Sequence, residues 1–389
     1  MSGLYIHIPY CKQRCIYCDF YSSATREDKK TYIECLIKEF EQRKSELTQK
    51  IETIYFGGGT PSILTKDELS FLLTNILKQS ELFNLSEITL EANPENLTFD
   101  YLEFLKKNTP INRLSIGIQS FNNQDLKILG RKHSAEEAIK AVKASQELGL
   151  DNISIDLMFN LPNMTKEKWL KNLQTAINLN IQHISAYSLT VEEGTMLHTL
   201  IDKQKLTLPT EKQQIEQFDL TIEFLTKNGF EHYETSNYAS LKVNDEWLMV
   251  NGWRSKHNSS YWNNTPYLGL GASAHSFDGE ERSWNISDLK EYISRIKNNQ
   301  PLSEKETLTE KDKYNEYILV GTRIKEGLNP DYIKTNLPTY YTHFQTQAQK
   351  LIKEGLLKQE NPIKEETPYT LTREGSHLAN RIGVNLFID

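Results

Sequence analysis

The sequence predicts an α/β fold, a partial (β/α)6 barrel followed by a small winged-helix-like α+β unit. Three observations carry this. Six short apolar runs recur through the first half, each followed by a stretch of helical periodicity. The polar residues that stand out fall near the carboxyl ends of those runs. Past residue 300 the alternation stops and helix-rich sequence takes over.

The strands, in order, are LYIHI (4–8), TIYFG (53–57), EITLEA (87–92), RLSIGIQ (113–119), ISIDLMF (153–159) and HISAYSL (183–189). Helices are expected over 28–49, 66–80, 98–108, 122–129, 134–148 and 166–180. The fifth carries its own punctuation: Ser134 caps the start, acidic residues fill the first turn, and Gly149 ends it. Strand–helix alternation implies parallel pairing, because parallel strands need crossover connections. In such barrels chemistry collects at the carboxyl ends of the strands. Residues 1–230 therefore read as the barrel, 231–300 as a segment that closes it, and 301–389 as a separate domain. In that last part, 311–328 reads as a helix ended by Gly327, and 344–359 as another ending near Gly355. Residues 368–387 read as a hairpin and a closing helix. Winged helices often bind DNA, but this one is not obviously basic, so a packing, lid or partner-binding role is expected.

Composition narrows the function. The chain has 389 residues, 38% of them hydrophobic and 10% aromatic, enough for a sizeable core. A formal net charge of −7 argues against a broad nucleic-acid footprint. No apolar run approaches the ~18 residues of a membrane span, and the N-terminus does not read as a signal peptide. A cytoplasmic protein is expected, with a peripheral position at the inner face of a membrane as an extension of that reading.

Three of the four cysteines crowd into YIHIPYCKQRCIYCDF (5–20), as Cys11, Cys15 and Cys18 at C-x3-C-x2-C spacing. Disulfide bonding would leave one thiol over and is disfavoured in a reducing compartment. Structural zinc usually takes four protein ligands, for which His7 would have to be the fourth. An iron–sulfur cluster is the third reading: three cysteines around four irons leave one iron open to a small molecule. Ile16, Tyr17 and Phe20 would limit access of water and oxygen.

This cysteine pattern, directly after a first strand and with an aromatic residue before the third cysteine, resembles the radical S-adenosylmethionine (SAM) superfamily. There the open iron chelates the amino and carboxylate groups of SAM's methionine moiety. GGGTP (57–61) reads on its own as a tight βα turn; it is neither a Walker A loop nor a G-x-G-x-x-G turn. Within the resemblance its glycines let the backbone approach SAM's amino group. The runs YIHIPYC, GGGTP, LSIGIQSF, GRKHS and IDLMFNLP resemble the coproporphyrinogen-oxidase-like branch. That resemblance implies SAM contacts at Tyr5, Gly58, Gly59, Thr60, Glu91, Gln119, Arg131, Asp156 and Thr190, with Tyr17 near the adenine. Taken singly, each of these polar residues is more often structural.

Two readings divide that branch. The oxygen-independent coproporphyrinogen III oxidases decarboxylate propionate side chains through a 5′-deoxyadenosyl radical. They typically carry a longer N-terminal extension and a cysteine where Phe20 stands here. CDF resembles instead the HemW-type heme chaperones, which implies binding of heme and its delivery to an apoprotein such as a respiratory enzyme. HNSSYW (257–262) points the same way. By itself it reads as an aromatic core segment with a hydrogen-bonded histidine; the resemblance makes His257 a heme ligand, with Tyr261 and Trp262 as flat apolar neighbours. LGLGASAHSF (268–277) would close the SAM side, with His275 a further SAM or heme neighbour. A homodimer is a further candidate assembly.

Overall fold

The computed structural model describes residues 2–23, 25, 27–243, 246–247, 252–359 and 367–388. Six parallel strands form its centre: β1 (Ser2–Ile8), β2 (Ile51–Gly58), β3 (Phe83–Ala92), β4 (Arg113–Gln119), β5 (Ile153–Phe159) and β6 (His183–Ser188). They lie side by side in sequence order, each parallel to the next. The strand Tyr267–Leu270 joins parallel to the free edge of β1, and two antiparallel strands, His275–Phe277 and Glu281–Asn285, continue beyond it. The sheet is therefore mixed but dominated by parallel pairs, an open partial barrel.

Six helices cover its outer face: α1 (Lys29–Arg43), α2 (Lys66–Leu77), α3 (Phe99–Asn108), α4 (Asn123–Leu129), α5 (Ala135–Glu147) and α6 (Lys166–Asn178). Local chemistry sets their starts. Thr65 with Glu68, and Ser134 with Glu137, form reciprocal capping boxes on α2 and α5. Gly130 and Gly149, at φ +75°, take the left-handed conformation just past α4 and α5. Helix α1 stops at Arg43 rather than running to residue 49, giving way to one short 3₁₀ turn over Lys44–Glu46.

Strand alternation sorts the side chains. Leu4, Ile6, Ile54, Phe56, Ile88, Leu90, Leu114, Ile116, Ile153 and Ile155 pack into the main hydrophobic core. The intervening positions, among them Tyr5, Thr53, Tyr55, Glu87, Glu91, Arg113, Ser115 and Asp156, line the inner face. Parallel strands buried on both faces normally read as unbroken apolar runs. Here one face is polar, so the alternation survives in the sequence.

The chain divides into two compact units, residues 1–231 with 238–306 and residues 232–237 with 307–389. The second unit has its own core, around Tyr314, Ile318, Phe344, Leu351 and Ile382. Its first helix, Glu310–Gly321, ends earlier than expected. Gly327 serves the next turn instead: at φ +73°, a Cβ there would lie 2.3 Å from the Tyr369 carbonyl. The hairpin also differs, pairing Leu357–Gln359 with Tyr369–Leu371. Among the described residues no helix is long and apolar enough to cross a membrane.

Candidate functional site

The cysteine loop leaves β1 at its carboxyl end and is pinned by its backbone. The Cys11 N–H donates to the Ser23 carbonyl (3.0 Å), and the Ile16 N–H to the Leu129 carbonyl (3.3 Å). All three thiols are free, Cys11 buried and Cys15 and Cys18 half-buried. Cys11 Sγ lies 3.5 Å from Thr60 Oγ1, and Arg131 donates to Cys15 Sγ over 3.5 Å. Burial pushes the Cys11 and Cys18 thiols up, and each also feels the charge of Cys15. Among the described residues no three Cys, His, Asp or Glu side chains converge on a single ion. His7, weighed above as a zinc ligand, has both ring nitrogens engaged, with Tyr5 OH (3.1 Å) and the Tyr21 carbonyl (3.2 Å). Of the expected aromatic shield, Ile16 and Tyr17 pack against the core. Phe20 does not: it stands 72% exposed, because the loop turns it outward past Cys18.

Behind the thiols runs one polar network. Asn93 donates to Thr60 Oγ1 (3.3 Å), and Arg131 Nη2 reaches both Asn93 Oδ1 and the Gly117 carbonyl at 2.6 Å. Gly117 makes room for it: a Cβ there would sit 3.1 Å from Gln119 and 3.5 Å from Arg131. Gln119 itself is held at φ +70° where β4 ends. The glycines of GGGTP have a plain steric reason. A Cβ on Gly58 would lie 2.6 Å from the His7 ring, and one on Gly59 would lie 2.9 Å from the Tyr10 carbonyl.

Two carboxyls face the same space. Glu91 accepts from Tyr55 OH (2.8 Å), and desolvation lifts it to about 7 against the pull of that bond. Asp156 is lifted to about 6 by desolvation, moderated by Ser185, Arg113 and Arg131. In β1 and β5 a single residue keeps residual exposure, Tyr5 and Asp156 respectively. Glu91, Gly58 and Gly59 keep some too. The lumen is thus open at the carboxyl ends of the strands and walled by groups that titrate near neutrality.

HNSSYW lies elsewhere. It forms the short helix Lys256–Trp262, whose first residues meet Gly3, Thr53 and Glu87 on β1, β2 and β3. His257 is fully buried, with Nδ1 2.8 Å from Thr53 Oγ1 and Nε2 2.8 Å from Tyr261 OH. Its ring stacks on Tyr55 at 5.1 Å, and burial lowers its pKa to about 3. Gly3, Thr53 and Glu87 stand opposite one another in register, five residues before the end of β1. At ~3.3 Å per residue this puts His257 about 16 Å from the cysteine end.

The structure therefore gathers Tyr5, Cys11, Cys15, Tyr17, Cys18, Gly58, Gly59, Thr60, Glu91, Gln119, Arg131 and Asp156 at one end. Thr190 is exposed just past β6. His275 is exposed on a strand outside the parallel set, its ring facing Trp284 at 6.3 Å. Trp262 is half-buried at the close of its helix. Sequence reasoning missed Asn93, Tyr55, Thr53, Glu87 and Arg113. Their one signal was placement: Asn93 within EANPE, the others on the polar phase of β2, β3 and β4.

Comparison with known proteins bears on this arrangement. The radical SAM superfamily pattern matches residues 5–176. The heme chaperone HemW of Lactococcus lactis subsp. lactis is 32% identical over 390 residues, covering 100% of this chain and 98% of its own. The chain belongs to the HemW family of radical SAM proteins. A second HemW, from Haemophilus influenzae, is 39% identical over 70% of this chain and 69% of its own. Among solved structures, the radical SAM enzyme coproporphyrinogen III oxidase (HemN) of Escherichia coli superposes with a TM-score of 0.81. It covers 99% of this chain and 90% of its own at 23% identity, a likeness of fold. In this chain the three cysteines lie at the open end of the barrel, and HNSSYW lies toward the other.

Proposed function

We propose that this HemW-family protein carries a four-iron cluster and SAM at the open end of the barrel, and receives heme for delivery to an apoprotein. Cys11, Cys15 and Cys18 would ligate three irons, and the fourth iron would take SAM's amino and carboxylate groups. The observation that carries the reading is the network Cys11–Thr60–Asn93–Arg131–Cys15, which ties the thiols to the end of β3, two residues past Glu91, and through the Gly117 carbonyl to β4. The donor set suits such a cluster: three free thiols stand on one short loop, with the Arg131 guanidinium 3.5 Å from Cys15 Sγ. When bound, the cluster would supply a reducible iron site open to SAM.

The chain's own groups then have definite tasks. Arg131 fixes Cys15 and offsets accumulated negative charge. Glu91 and Asp156 would accept hydrogen bonds from the iron-bound amino group or the ribose hydroxyls of SAM, whose sulfonium carries the positive charge. Tyr55 orients Glu91, and the glycines keep the turn thin above His7. Heme would engage His257 and the flat faces of Tyr261 and Trp262. A respiratory apoenzyme at a membrane surface is the proposed acceptor.

The test titrates anaerobically reconstituted protein with hemin, then supplies coproporphyrinogen III, SAM and a reductant. Stoichiometric hemin binding without protoporphyrinogen is the expected result. Catalytic formation of that product would replace the chaperone reading with an oxidase.

A further inference from the structure

His257 is at once the residue expected to meet heme and one of the least available side chains in the barrel. A histidine ligates iron through a free ring nitrogen. Here one nitrogen is held by Thr53 Oγ1 and the other by Tyr261 OH, both at 2.8 Å, and one face of the ring is covered by Tyr55. The helix that carries it is held as firmly. The Glu87 carboxylate accepts the Lys256 N–H at 2.9 Å through one oxygen and the His257 N–H at 3.0 Å through the other. Glu87 is itself only 3% exposed. A bidentate carboxylate across two unsatisfied N–H groups at a helix start is a strong, charge-assisted clamp. Gly3 completes the socket, since a Cβ there would lie 3.1 Å from the imidazole.

We propose that Glu87 and Thr53 are positioning residues that lock HNSSYW inside the lumen, and that heme reaches His257 only after this lock opens. The inference rests on the heme reading above and adds its control. The barrel holds a closed form in which the ligand is fully satisfied by protein partners, and heme binding draws on the minor open form. Binding is then slower than the intrinsic encounter by the fraction of molecules that are open. The polar lumen makes the open form attainable: Thr53, Glu87 and Arg113 remain hydratable once the helix withdraws, unlike an apolar socket.

The experiment measures hemin association by stopped-flow absorbance on the full, cluster-loaded chain. Thr53→Val removes the Nδ1 partner while keeping shape; Glu87→Gln weakens the clamp while keeping one acceptor oxygen. Each is expected to bind hemin ~10-fold faster than the parent, the effect of losing one charge-assisted or buried hydrogen bond. Glu87→Gln should also speed amide exchange at Lys256 and His257. A purely structural role would leave association unchanged or slow it. If His257→Ala loses hemin binding while both lock variants associate at the parent rate, the lock is overturned. If His257→Ala binds hemin as the parent does, the heme site itself lies elsewhere and the underlying reading fails with it.

Discussion

Glu91 shows how burial can set a carboxyl at a cost to the fold. Its carboxyl titrates at about 7 in the folded chain and near the ordinary carboxylate value when unfolded. An acid whose pKa is raised by folding holds its proton in the native state, so its contribution is intact at low pH. It is lost as pH climbs from about 4.5 through 7. Glu91→Gln is therefore expected to stabilise the SAM-free protein at pH 8 by about 1–3 kcal/mol, with little change at pH 5. Denaturant unfolding at both values checks this. The same substitution should weaken SAM binding and flatten its rise between pH 6 and 8, since only the carboxylate attracts a cation. Isothermal titration across that range reads the effect. At the thiols, Cys15→Ala should fail to retain the full four-iron complement after anaerobic reconstitution, read as iron and sulfide content. Full retention would remove the cluster assignment.

At the scale of elements, caps and glycine stops made the first six strand–helix units readable, because each signal acts within about one turn of its own residue. What escaped was chemistry between elements distant in sequence. Glu39, on α1, is fully buried. It accepts from the Gly271 N–H (2.8 Å), Asn285 Nδ2 (2.7 Å) and Tyr292 OH (2.7 Å), and pairs with Arg43 at 2.9 Å. It bolts the first helix to the strands beyond β1, yet in sequence it is one acidic residue among several in an amphipathic helix. Glu39→Ala leaves Arg43 and several donors unpaired in the interior. It is expected to cost about 3–5 kcal/mol, measurable as a shift in denaturation midpoint.

For the whole molecule, the two ends of the barrel are built differently. The open end presents the thiols and two raised carboxyls; the closed end holds a plug whose histidine is internally satisfied. The main core lies between the outer sheet face and the helices, and the cysteine loop leans on it only through Ile16 and Tyr17. Removing iron with a chelator should then lower the thermal midpoint by linkage while leaving the far-ultraviolet circular dichroism unchanged. Collapse of that signal would mean that the cluster organises the barrel, as structural metals do in small domains.

The chain by itself determined the α/β class, the order and phase of the six strands, and the three-thiol loop. Each is written in local spacing: a period of two or 3.6, a cap, a C-x3-C-x2-C run. It also put Glu91 and Gln119 at strand ends; Arg131, by contrast, follows α4, and Asp156 stands in the middle of β5. Only the tertiary structure decided that Asn93 joins Thr60 to Arg131, that Phe20 faces outward, and that His257 is shut inside the barrel at the far end from the thiols. Thr53 and Glu87 meet His257 across some 200 and 170 residues of chain. No periodicity records such a meeting, because it is set by strand register and by the packing of a helix that arrives long after the barrel strands have been laid down.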